Sequence, residues 1–174
     1  MKEPKEPCVM AFLGFAEEMI EHEMVLSMKA YIQHSNVDCY EHSVFVAYSS
    51  YCVAAFINPW LRIDLRSVVR GAMLHDFFLY DWHHPKTEKE RFFEKHGFTH
   101  PRKAFENASR YFEMNKTEED IILKHMWPLN LAPPRTREAL LVTLVDKYCS
   151  LKEVVMPWTN VKLKNTVRYI CNKK

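Results

Sequence analysis

Three features of the chain predict an all-α fold: a scarcity of glycine, apolar residues at helical spacing, and capping residues where that spacing begins. Only 3 of 174 residues are Gly, which leaves few of the permissive turns on which β-rich folds depend. Apolar residues recur every three or four positions through most stretches of the chain. Asp38, Asp64, Thr99 and Thr117 stand where such stretches open, as N-cap residues do. The length suits one core and is short for two. No linker, internal repeat or low-complexity segment divides it, so residues 1–174 are expected to form a single domain.

Composition narrows the function classes. Hydrophobic residues at 48% and charged residues at 26% are ordinary for a soluble globular protein, and a formal charge of +2 without a Lys or Arg run gives no case for nucleic acid or an anionic membrane. Cys8, Cys39, Cys52, Cys149 and Cys171 are odd in number, far apart and without a C-x-x-C pair. They form neither a disulfide framework nor a thiolate zinc site and are expected to be reduced intracellular thiols. The amino terminus, MKEPKEP, is charged and broken by proline, unlike a signal peptide. The longest uncharged stretch, 43–61, is cut by Asn58-Pro59 and is read as a buried core helix, which makes the cytoplasm the expected compartment.

Along the chain, Val9, Phe12, Leu13, Ala16 and Ile20 share one helical face, with Glu17, Glu18 and Glu21 on the other. A second short helix carries Val25, Met28 and Ile32 and stops at His34-Ser35-Asn36. His22 and His34 fit no pattern and are expected to face solvent. Asp38 with Glu41 three residues on is an Asp variant of the capping box, so a helix should start there and run to Asn58-Pro59. His42 lies in its first turn, in line with Phe45, Val46, Ser49, Val53 and Phe56. Asp64 caps the next helix, whose stripe of Leu65, Val68, Ala72 and Leu79 carries the pair His75-Asp76 inward; Gly71 permits a close helix approach. Asp81, His83 and His84 suit a wet loop, with outer partners of a metal site as the alternative. The charged run 85–99 reads as an excursion and a candidate lid, with His96 exposed. Thr99, with Pro101 tolerated in the first turn, opens a helix whose inward line is His100, Ala104, Asn107, Ala108 and Tyr111. Thr117 with Asp120 caps a further helix from Glu118 to about Trp127, and His125 falls in its last turn. After the rigid loop PLNLAPPR, the most apolar helix carries Asp146 on the stripe Ala139, Val142, Thr143, Asp146, Ser150. A carboxylate there needs a partner or a cation. The chain ends in a basic amphipathic helix with Leu163, Val167 and Ile170.

Six inward polar residues therefore stand out: His42, His75, Asp76, His100, His125 and Asp146. Their separations of 33, 24, 25 and 21 residues (42 to 75, 76 to 100, 100 to 125, 125 to 146) each equal about one helix and its connection. Ligands would come from successive helices converging on one point. Each alone has a bland reading as a paired core residue; together, four His and two carboxylates exceed one tetrahedral zinc and match two ions if a carboxylate bridges them.

The order H…HD…H…H…D resembles the dinuclear branch of the HD-domain metal-dependent phosphohydrolases over residues 38–150. The resemblance implies an HD-type helical bundle in which His42, His75, Asp76 and Asp146 hold one ion, Asp76 bridges, and His100 and His125 hold the other. It implies hydrolysis of a nucleotide or similar small phosphate ester by a metal-bridged hydroxide, with Asp76 as the catalytic carboxylate. Four imidazoles favour transition metals, iron or manganese first and then zinc, nickel or cobalt, over magnesium. Phe77-Phe78-Leu79 replaces the Lys that HD-GYP phosphodiesterases carry after the signature pair, and no GYP motif occurs, which argues against cyclic-di-GMP. Arg102, Lys147, Arg135 and Arg137 are candidates to hold the phosphate, or else solvated charges. Phe77, Phe78, Tyr80 and Trp82 either stack on a base or belong to the core. HD-type di-iron oxygenases use the same ligand set, and a non-enzymatic metal- or nucleotide-binding module is a third reading. The sequence leaves the oligomeric state open.

Overall fold

The centre of the molecule is set by a helix with a strong start signal. The computed structural model describes residues 6–81 and 96–173, so Trp82, His83, His84 and the excursion up to residue 95 lie outside the described residues. Helix α1 spans Glu6–Ile20, α2 Glu23–Leu26, α3 Cys39–Leu61, α4 Leu65–Leu74, α5 His96–Tyr111, α6 Lys116–Lys124, α7 Arg137–Val155 and α8 Asn160–Asn172. Strands β1 (Ile32–His34) and β2 (Val37–Asp38) make a small antiparallel hairpin. The fold is all-α apart from that hairpin. Its buried apolar side chains form one cluster to which all eight helices of the described residues contribute.

Helix α3 packs against α1, α4, α7 and α8. The capping box is present: Glu41 N–H donates to Asp38 Oδ1 at 2.7 Å and Asp38 N–H to Glu41 Oε2 at 3.4 Å. The helix does not stop at Asn58-Pro59 but runs to Leu61, because a proline in the last turn removes a single bond and Asn58 repairs the end. Its side-chain oxygen accepts from Ile63 N–H at 2.7 Å, and Arg62 closes the helix in the left-handed region at φ 49°. The expected stripe also turns along the helix. Val53 and Phe56 are exposed, while Tyr48 and Tyr51 are buried under Phe12 of α1, ring centroids 5.5 and 6.0 Å away. By length and composition α3 could cross a membrane, yet 44% of its most apolar window is buried within the protein.

Other boundaries move for local reasons. The helix expected over Val25 to Ile32 is instead α2, a 3-10 turn and the β-hairpin, with Ser35 at φ 53° in its tip. Strand alternation then exposes Ile32 and buries Gln33. Helix α5 opens at His96 and not at Thr99; Pro101 inside it forgoes only the bond back to residue 97, and Tyr111 is exposed. Helix α6 is capped by Asn115 with Glu118 in place of Thr117 with Asp120, and it ends at Lys124 with His125 as its C-cap. Asp120 is drawn away by three donors, Arg135 N–H, Thr136 N–H and the Thr136 hydroxyl, which fasten the start of α7. Asp64 caps α4 as expected, accepting from Ser67 N–H at 3.2 Å. At Gly71 an added Cβ would lie 2.6 to 2.9 Å from the Ile121 side chain, so α4 and α6 meet where only glycine fits. All five cysteines are free thiols, with Cys8 and Cys52 Sγ atoms 3.7 Å apart.

Candidate metal centre

The six residues singled out in the sequence converge. His42 comes from the first turn of α3, His75 and Asp76 from the end of α4, His100 from α5, His125 from the end of α6 and Asp146 from the middle of α7, and all six are buried. His75 is the C-cap of α4 and keeps helical backbone angles, so its ring and the neighbouring carboxylate diverge, as adjacent helical residues do, and bracket a common space.

Three imidazoles are fixed by what their Nδ1 atoms donate to. His75 Nδ1–H donates to the Ala72 carbonyl at 2.7 Å, and His125 Nδ1–H to the Ile122 carbonyl at 2.8 Å. His42 Nδ1–H donates to both carboxylate oxygens of Glu153, at 2.9 and 3.1 Å. Each ring is thereby left with its Nε2 lone pair facing inward, the tautomer that binds a metal.

Asp76 divides the inward atoms into two sets. Its Oδ2 lies 3.2 Å from His75 Nε2 and 3.8 Å from His42 Nε2, and Asp146 Oδ1 lies 3.2 Å from His42 Nε2 and 3.6 Å from His75 Nε2. Its Oδ1 lies 3.2 Å from His100 Nε2 and 3.5 Å from His125 Nε2, and those two nitrogens are 2.8 Å apart. Donor atoms held about 2.1 Å from one ion sit roughly 3.0–3.4 Å from each other. One or two pairs in each set stand at 3.2 Å and the rest between 2.8 and 3.8 Å, and His42, His75 and Asp76, like Asp76, His100 and His125, are close enough together to hold an ion. Two of these atoms, His75 Nε2 and Asp76 Oδ1, are fully buried without a hydrogen bond. An orphaned buried lone pair is costly, and a bound ion is the partner that removes the cost.

The electrostatics agree. Burial would push His42 and His75 down, but Glu153, Asp146 and Asp76 outweigh it, holding His42 well above its ordinary value and His75 at about 10. Burial would likewise raise Asp76 and Asp146; the surrounding imidazoles instead hold both well below the usual carboxylate range. His125, buried and beside His100, is pushed down.

Two buried residues and one half-buried residue beyond the six complete it. Glu153 fixes His42, Gln33 donates from the hairpin to Asp76 Oδ2 at 2.6 Å, and the half-buried Ser150 donates to Asp146 Oδ1 at 3.2 Å. Glu153 lies two turns beyond Asp146 on the same face of α7, a signal the sequence carried; Gln33 carried none. His34, expected in solvent, is half-buried with its ring edge-on to His42 at 6.0 Å, and His22 is half-buried as the cap of α2.

The candidate phosphate-binding cations are scattered. Lys147 is half-buried beside the centre and donates to the His125 carbonyl at 3.0 Å. Arg102 points into solvent and pairs with Glu106 one turn on, Arg137 donates to the Leu61 carbonyl, and Arg135 is exposed. Phe77 packs in the core against Phe112, and Phe78 lies against His100 with ring centroids 5.8 Å apart, so both line the structure and neither stands open as a platform. Tyr80 is half-buried beneath the Lys103 ammonium, and Asp81 is exposed.

The HD domain family model matches residues 39–151 of the chain, a span that runs from the start of α3 into α7 and contains all six converging residues. No curated protein and no solved structure matches the chain significantly.

Proposed function

Because the chain belongs to the HD domain family, a superfamily of the metal-dependent hydrolase type, we propose that it is a dinuclear phosphohydrolase acting on a nucleotide or a similar small phosphate ester. One observation carries this reading: the two oxygens of Asp76 face separate pairs of imidazoles, His42 with His75 and His100 with His125. A carboxylate so placed would serve both candidate ion sites, since Asp76 belongs to each group. His42, His75, Asp76 and Asp146 would hold one and Asp76, His100 and His125 the other, with iron or manganese suited to the imidazole-rich set. Two such ions would supply a water that ionises near neutral pH and positive charge for phosphoryl oxygens.

The chain's own residues prepare that chemistry. Glu153 and the carbonyls of Ala72 and Ile122 hold three imidazoles in the metal-binding tautomer, and Gln33 orients the bridging carboxylate. Burial of all six ligands keeps bulk water from competing. Lys147 is the cation best placed to meet substrate charge, since its ammonium already reaches the His125 carbonyl. Arg102, Arg135 and Arg137 would have to turn inward from the surface.

The test is phosphate release from a panel of nucleotides, dinucleotides and sugar phosphates by protein loaded with manganese or iron. Release that chelation abolishes and added metal restores is the expected result. Fully loaded protein that releases no phosphate yet consumes dioxygen with an organic substrate would replace this reading with the oxygenase.

A further inference from the structure

Helix α7 is apolar on both sides. Its inner face carries Ala139, Val142, Thr143 and Asp146 into the core and the metal centre. Its outer face carries Leu144, Tyr148, Leu151 and Val155, followed by Trp158 in the next 3-10 turn, and all five are exposed, Tyr148 at 61%, Leu151 at 63% and Trp158 at 72%. Lys147 and Lys152, both half-buried, flank this outer row.

The outer spacing is 4, 3, 4 and 3 residues from 144 to 158, the alternation of a two-helix seam. None of the five is charged. With the adjoining Leu140 and Val154, also exposed, the face offers on the order of 800 Å² of side-chain surface, taking ordinary side-chain areas. That matches the ~800 Å² that each partner buries in a stable complex of standard size. It exceeds the few hundred Å² expected of a monomer's largest patch.

We infer that this face pairs with the same face of a second copy of the chain, about a two-fold axis passing near Leu151. In sequence the row is nearly symmetrical about Leu151, with Leu144 and Trp158 seven residues to either side, Trp158 standing in the 3-10 turn after α7 ends at Val155. It is therefore complementary to itself and asks no opposite charge of a partner. A net charge of +2 per chain puts little repulsion between two copies. The pairing is independent of the chemistry at the metal centre, which lies on the opposite face of α7.

Sedimentation equilibrium of the full chain tests it. The expected mass is twice 20.7 kDa at micromolar concentration, and the double variant Tyr148→Glu/Leu151→Glu sediments as a monomer with an unchanged circular dichroism spectrum. A second readout does not depend on that variant folding. Leu151→Cys, treated with oxidised glutathione, forms a disulfide-linked dimer by exchange that releases two glutathione thiols, well beyond the level of the wild type, while Ser109→Cys on exposed α5 does not. A wild type that stays at monomer mass, a charged double variant that still dimerises, or Leu151→Cys crosslinking no more than the wild type would each overturn the proposal.

Discussion

His42 holds one nitrogen on Glu153 and turns the other toward Asp146 and Asp76, so a single ring links a carboxylate outside the motif to the space between the ligands. Glu153→Gln keeps the shape and removes the negative charge that raises the basicity of His42. Metal affinity measured by chelator competition should fall about 10- to 100-fold, with circular dichroism unchanged; an unaltered affinity would make Glu153 a packing residue only. The six converging residues were legible because each sat on an inward stripe and a carboxylate such as Asp146 cannot stay unpartnered there. Direction was less legible for cations chosen by closeness in sequence. Arg102 is two residues after His100, which on a helix turns it about 200° away, and it ends on Glu106 in solvent. Gln33 was illegible, because nothing before the hairpin forms shows that its amide will reach Asp76.

At the scale of elements, caps were read well where one carboxylate had one helix end to serve, as at Asp38 and Asp64, and badly where tertiary donors competed, as at Asp120. Proline overstated the break at Asn58-Pro59, since Pro59 falls in the last turn of α3 and loses a single bond. Gly71 was legible as a close approach, and the approach proves too close for any side chain. Gly71→Ala gains about 1 kcal/mol of helix propensity but drives a methyl into Ile121, an overpacking cost of about 1–3 kcal/mol. Thermal unfolding should shift to lower temperature; a shift upward would mean that α4 and α6 are not in this contact. The same pair of helices carries His75, Asp76 and His125, so the variant should also bind metal less tightly.

For the whole molecule, the centre ties folding to pH and to metal. In metal-free protein, His42 and His75 titrate above their unfolded value of about 6.5, His75 at about 10. Their contribution is full below pH ~6.5 and is lost as pH rises through the folded values. Asp76 and Asp146 titrate below their unfolded value, so theirs is present above pH ~4 and is lost as pH falls. His125 and His34 titrate below their unfolded value and lose stability as pH falls below ~6.5. Denaturant titrations of metal-free protein should therefore place maximum stability toward the upper end of pH ~4 to ~6.5, with a decline toward pH 10 that bound metal suppresses because ligation requires neutral imidazoles. Metal-free protein that gains stability above pH 7 would contradict this. The fold class and the convergence of five helices on one point were legible at this scale, whereas the hairpin and the exposed outer face of α7 depend on packing that periodicity does not report. The most direct measurement of the bridge is metal content per chain after loading with manganese or iron and removal of excess. Two ions per chain in the wild type, falling to one or none in Asp76→Ala while the variant stays folded, is the result expected; one ion in fully loaded wild type, with no further loss in His100→Ala, would contradict it.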